Sequence, residues 1–178
     1  VGRMVAQAAA KNLTPVTLEL GGKSPTVIAP DFDLGQAAKS IAWGKFLNAG
    51  QTCIAPDYVM APRGSEAAFA EAVLSEAGRM WPDVAGNADY TAIVSERHHE
   101  RLTAMVEEAR AAGAVVMQAE FDAAGAGNTR IFPPTVVLDP PQDSKLMTEE
   151  IFGPVLPVIG YDGLNEAARR INEGDRPL

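Results

Sequence analysis

Short β-favouring runs alternate along this chain with stretches long enough for three or more helical turns. That alternation limits its folding options more than any other feature. Residues 16–20, 25–29, 58–60, 114–117 and 155–159 read as strands, and 131–138 reads as extended. Residues 1–12, 34–48, 66–79 and 96–112 read as helices, and a last helix follows Asp162 and ends near Gly174. Asp33, with Gln36 at the capping-box position, Ser65 and Asp162 stand where N-caps belong. Asn12, Gly50, Trp81-Pro82 and Gly113 stand where helices stop. Ile41, Phe46 and Leu47 share one helical stripe with Trp43 near its edge; Phe69, Val73 and Leu74 form a second, and Leu102, Met105, Val106 and Ala109 a third. Residues 82–93 and 125–128 read as loops, and Pro133-Pro134 argue against a central ladder position there. Strands separated by helices of this length imply an α/β fold: an open, mostly parallel sheet flanked by helices. No repeat or low-complexity tract divides the 178 residues.

Charge and cysteine usage exclude several function classes. Fifteen Lys and Arg against 23 Asp and Glu leave a net charge of −8, which argues against a surface that tracks nucleic-acid phosphates or an anionic membrane. One cysteine rules out an internal disulfide framework. The adjacent His98 and His99 with one distant thiol do not make a zinc cluster, so no metal site is expected. No apolar run approaches the ~20 residues that cross a bilayer, and no leader is visible. The expected location is cytoplasmic. The chain starts at Val1 and stops at Leu178, and both ends read as cuts through a larger protein.

Two residues stand out chemically. Cys53 follows Asn48-Ala49-Gly50-Gln51-Thr52, between a helix and a strand. Lone cysteines are most often small buried hydrophobes. A cysteine in a polar turn can instead present an accessible sulfur, with its backbone N–H free to donate to an oxyanion. Its thiol would then need a nearby base or a lowered pKa to act as a nucleophile. Glu19 is an acid in the otherwise apolar run 16–20, which alternation would split into a Thr17/Glu19 face and a Leu18/Leu20 face. A solvated face accounts for it. So does a general base at the mouth of a partly apolar cleft, because Gly21-Gly22 follows and lets backbone approach a ligand.

Other motifs are weaker. Gly22-Lys23-Ser24 has the tail of a phosphate-binding loop, but Thr17 stands where the first glycine belongs and Pro25 follows instead of a helix. His98 and His99 open an amphipathic helix and are expected on its solvated face. Glu149-Glu150 are paired acids with no further metal ligand at suitable spacing.

Three segments in order carry a resemblance. Leu18-Glu19-Leu20-Gly21-Gly22-Lys23-Ser24-Pro25 is similar to the glutamate signature of the aldehyde dehydrogenase superfamily. Asn48-Ala49-Gly50-Gln51-Thr52-Cys53-Ile54-Ala55-Pro56 resembles its cysteine signature, with Cys53 34 positions after Glu19 as in the family. Glu149-Glu150-Ile151-Phe152-Gly153-Pro154-Val155 looks like its cofactor-contacting motif. Residues 41–46 and 53–59 look most like the branch that holds coniferyl and fatty aldehyde dehydrogenases, with a lean to the coniferyl type.

The resemblance implies oxidation of an aldehyde to a carboxylic acid with NAD or NADP. Cys53 would be the nucleophile that forms a thiohemiacetal and then a thioester, and Glu19 the base that activates water. Glu150 would bond the nicotinamide ribose with Phe152 packed beside it. Leu20 and Gly21 would line the nicotinamide pocket, and Val1 would lie near adenine. The resemblance also implies that 1–12 is the trailing helix of a cofactor-binding domain and 13–178 a catalytic domain truncated at its end. The partners implied are a small aldehyde and, for the parent enzyme, further copies of itself. The family's side-chain oxyanion donor lies upstream of Val1. Losing such a donor typically costs ~10²–10³ in rate, so the isolated chain is expected to be nearly inactive. Two alternatives use the same residues: a cofactor-independent thiol esterase working through Cys53 and Glu19, and a catalytically silent interaction module whose open sheet edges favour self-association.

Overall fold

The structure, a computed structural model, describes residues 1–122, 130–174 and 176. In chain order the elements are α1 (Gly2–Ala10), β1 (Pro25–Val27), α2 (Leu34–Phe46), a 3-10 turn (Leu47–Gly50), β2 (Tyr58–Pro62) and α3 (Glu66–Met80). Then come α4 (Glu96–Ala111), β3 (Val115–Gln118), β4 (Thr135–Leu138), α5 (Lys145–Thr148), β5 (Val155–Tyr161) and α6 (Leu164–Glu173).

The five strands form one sheet in the order β1-β2-β5-β4-β3. The first four run parallel, with Thr26 opposite Val59, Val59 opposite Val158, and Val137 opposite Pro157. Only β3 runs antiparallel, against β4. This is the open, mostly parallel α/β sheet that the alternation predicts.

Strand β5 lies at the centre, and all seven of its residues are buried. Its proline costs no ladder bond. Pairing with β2 starts only at Val158, and the backbone donors Thr135 and Asp139 at β4's ends bond the carbonyls of Pro154 and Val158. Side chains alternate across the sheet. In β2, Val59 and Ala61 join the large core under α2, α3 and α4, whereas Met60 joins a smaller cluster with Ile159, Tyr161 and Ala167 of α6.

Helix α2 presents Ala37, Ala38, Ile41, Ala42 and Phe46, and α3 presents Phe69, Ala70, Val73 and Ala77. Small alanines on both helices permit close approach to each other and the sheet. In α4, the spacing of Leu102, Met105, Val106 and Ala109 gives the buried face that the sequence predicts. Asp33 caps α2 by accepting from the Gln36 N–H at 2.7 Å.

Several expectations are corrected. Residues 16–20 form no strand: no described strand pairs with them, and without a ladder partner an alternating pattern leaves its backbone groups to water. Val16, Leu18 and Leu20 are all exposed there. Helix α2 ends at Phe46, so Leu47 leaves the apolar stripe and is 45% exposed. Asp162 caps nothing, because its carboxylate accepts from Arg63 at 2.6 Å. His98 is exposed as expected, but His99 is half-buried, edge-on to the Phe132 ring at 5.3 Å. The turn expected at 125–128 lies outside the described residues.

Candidate active site

Cys53 owes its position to an unusual backbone run. Asn48, Ala49 and Gly50 have φ values of 52°, 51° and 70°, three left-handed residues in succession. They reverse the chain after α2 and deliver it into a turn closed by the Ala55 N–H on the Thr52 carbonyl at 3.0 Å. Cys53 sits on that turn with its side chain exposed, as a reactive thiol requires. Gln51 fastens the loop. Its Nε2 donates to the Ala92 carbonyl at 3.1 Å, and its Oε1 accepts from the Val94 N–H at 2.8 Å.

Gly50 also fixes what the loop rests on. A Cβ there would stand 2.3 Å from the Gly153 carbonyl oxygen and 2.9 Å from that of Lys45. The cysteine segment therefore lies backbone to backbone on the segment that follows Glu150. Gly153 in turn abuts Leu102 of α4, where a Cβ would come within 2.6 Å of the leucine methyls.

Glu150 is met from the other side by the glutamate segment. Gly21 has φ +70°, and a Cβ on it would lie 2.6 Å from either carboxylate oxygen of Glu150. Leu20 and Glu150 both border a cleft of about 860 Å³, together with Lys23, Tyr58 and Arg170. Leu20 is 60% exposed, and it also packs on Gly2 at the start of α1. Phe152 is half-buried at φ 48°. Val1 is fully exposed at the chain start. Cys53 and Glu19 both stand at the surface on different loops, and neither borders the cleft that Leu20 and Glu150 share. Of the predicted residues, then, the structure brings Gly21 and Leu20 to Glu150.

The contacts that hold this arrangement escaped the sequence reading, although Lys23 itself stood in two of its motifs. Asp57, 4% exposed, pairs with the Lys23 ammonium through one oxygen and accepts the Ile151 N–H at 2.9 Å through the other. Lys23 further donates to the carbonyls of Leu146 at 2.8 Å and Glu149 at 3.0 Å. Its ammonium is thereby engaged by protein groups, which disposes of the phosphate-loop reading. Arg101 reaches from α4 and donates to the carbonyls of Glu150, at 3.1 Å, and Ile151.

Lys45 is 1% exposed on α2. Burial lowers its pKa to about 8 against the pull of Asp57, with Lys23 lowering it and Glu150 raising it further. One signal pointed to Lys45: it falls four residues after Ile41, on the apolar stripe.

Among the described residues, no group of three or more His, Cys, Asp or Glu could hold a metal ion, and no helix is long and apolar enough to cross a membrane.

Comparison with known proteins gives a consistent result. The sequence profile of the "Aldehyde dehydrogenase family" matches residues 1–177. The "Probable coniferyl aldehyde dehydrogenase" of Caulobacter vibrioides is 48% identical over 182 residues, which is 100% of this chain and 37% of that protein. The "Aldehyde dehydrogenase, dimeric NADP-preferring" of Canis lupus familiaris is 39% identical over 179 residues, again 100% of this chain and 38% of its own length. A crystal structure of a mutant Aldehyde Dehydrogenase C from Pseudomonas syringae, in complex with NAD+ and octanal, superposes with a TM-score of 0.81 at 33% identity. It covers 93% of this chain and 35% of that one. The chain thus spans little more than a third of the length of these relatives.

Proposed function

The chain belongs to the aldehyde dehydrogenase family, and on that footing we propose that it carries the thiol and the general base of an enzyme that oxidises an aldehyde to a carboxylic acid with NAD or NADP. The observation that carries this reading is the meeting of the glutamate and cysteine segments on one support: Gly21 against Glu150, and Gly50 against Gly153.

The residues fit a nucleotide. A Cβ at Gly21 would collide with both oxygens of the Glu150 carboxylate, so only glycine lets the backbone lie against that flank. Among the described residues no donor is hydrogen-bonded to the carboxylate oxygens of Glu150, which leaves them available as acceptors for ribose hydroxyls. Glu150 would hold the ribose, with Phe152, Leu20 and Gly21 beside it and Val1 towards the adenine.

Cys53 attacks the aldehyde carbonyl, forming a C–S bond and a thiohemiacetal whose oxygen is held by the Cys53 backbone N–H. NAD or NADP, when bound, supplies the two-electron oxidant between this adduct and the thioester. Glu19 takes a proton from water, and the resulting hydroxide displaces the Cys53 thiolate to release the acid.

The relative named for coniferyl aldehyde favours an aromatic aldehyde as substrate, and a relative named as dimeric favours a homodimer. Residues 13–178 are read as the catalytic unit. Residues 1–12 are read as the trailing helix of a cofactor-binding domain, in keeping with α1 burying only Gly2.

The test is reduced-nucleotide formation from coniferyl aldehyde by the full-length protein. Cys53→Ala is expected to abolish it; a rate equal to wild type would sink the assignment.

A further inference from the structure

The peptide on the C-terminal side of Glu150 is gripped at both ends by opposite charges. Arg101 donates to its carbonyl at 3.1 Å from α4, and Asp57 accepts its N–H, on Ile151, at 2.9 Å from the chain just before β2. The peptide on the N-terminal side is held at its carbonyl, on Glu149, by Lys23 at 3.0 Å. Lys23 and Asp57 are themselves ion-paired, with side chains 17% and 5% exposed. A peptide plane fixed at both its donor and its acceptor has one orientation. That orientation sets the direction in which the Glu150 side chain leaves the backbone.

Fold stability alone does not call for this device. A buried ion pair contributes little compared with well-packed apolar residues of the same volume, because desolvation offsets the attraction. What three charged side chains from separate parts of the chain do provide is a narrow range of geometries. Glu150 is where a narrow range matters, because a misplacement of about 1 Å in a positioning group can cost ~10²-fold in rate.

We propose that Asp57, Lys23 and Arg101 are positioning residues that aim the Glu150 carboxylate at the nucleotide. This rests on reading Glu150 as a ribose ligand. It gives Lys23 and Asp57 a purpose beyond folding, and it makes nucleotide affinity depend on side chains that never touch the nucleotide.

Fluorescence titration of the full-length protein with NADH and with NADPH provides the test, with thermal melting of each variant run alongside. Glu150→Gln is expected to weaken binding about tenfold. Asp57→Asn, nearly isosteric, is expected to weaken it by a similar factor in the wild-type background and by less than about twofold in the Glu150→Gln background, because residues in one network act non-additively. Arg101→Lys keeps the charge but loses one of the two carbonyl bonds. It should behave in the same way, and it serves if Asp57→Asn does not melt cooperatively.

Equal losses in both backgrounds would mean general structural support and would overturn the inference while leaving Glu150 as a ligand. Full affinity in both single variants that disturb the grip would overturn it as well. Full affinity in Glu150→Gln is a different failure: it removes the ribose reading itself, and the inference falls with it.

Discussion

Lys45 is buried on the packed side of α2, and Asp57, Lys23 and Glu150 are the charged groups that act on it. Burial lowers its pKa from 10.5 to about 8. The sign of the pH effect follows. Between about 8 and 10.5 the unfolded chain keeps the proton and the folded one has released it, so this group makes stability rise with pH across that window. Below about pH 8 the folded protein holds a buried charge at a cost on the order of 3 kcal/mol. Lys45→Met removes the group, and the difference in Tm between wild type and variant is expected to shift in the wild type's favour as pH climbs through the window. Calorimetry at its two ends measures this; a difference independent of pH would show that the amine does not titrate there. Cys53 and Glu19 stand out in the sequence as candidates by residue type and flanking glycines. Asp57 and Arg101 do not, because their partners lie 94 and 49 positions away, and nothing local marks such pairs.

Elements in this molecule meet at glycines. At Gly50 the 3-10 turn after α2 rests on the loop that leads into β5, with no room for a methyl group. Gly50→Ala combines a positive φ with a collision against backbone. The conformational part alone costs on the order of 1–3 kcal/mol, and the Gly153 carbonyl that the methyl would strike belongs to a residue packed against Leu102 on its own Cα. We expect Tm to fall by roughly 4 °C or more, at ~2–4 °C per kcal/mol for a chain of this size, and Cys53 to become less uniformly reactive towards a thiol reagent. An unchanged melting curve would contradict the close contact. Element existence was largely readable from sequence: α2, α3, α4 and the parallel strands follow from periodicity and caps. Residues 16–20 misled because alternation reports only a side-chain pattern, whereas a strand also needs a neighbour to take its backbone bonds. Asp162 misled for a related reason: Arg63, 99 positions away, outcompetes the local cap.

The molecule as a whole is layered unevenly. Among the described residues, one face of the sheet carries the large core with α2, α3 and α4, and the other carries only the small cluster with α6. Strand β5 is buried throughout, while α1 buries only Gly2 and the stretch from 13 to 20 is exposed. Amide exchange should follow this gradient in the isolated chain. The β5 amides are expected to exchange only on global opening, and those of α1 by local fraying at far lower free energy. Equal protection in the two elements would mean that α1 packs more firmly than its burial indicates.

The sheet's two rims are also unlike. At one, β1 is three residues long and begins with Pro25, which lacks the hydrogen that a docking strand would seek. At the other, β3 presents Val115, 57% exposed, with no proline in its length. Edge-to-edge association of the isolated chain should therefore stop at a pair joined rim to rim through β3, because the proline rim offers no second docking edge for a third copy.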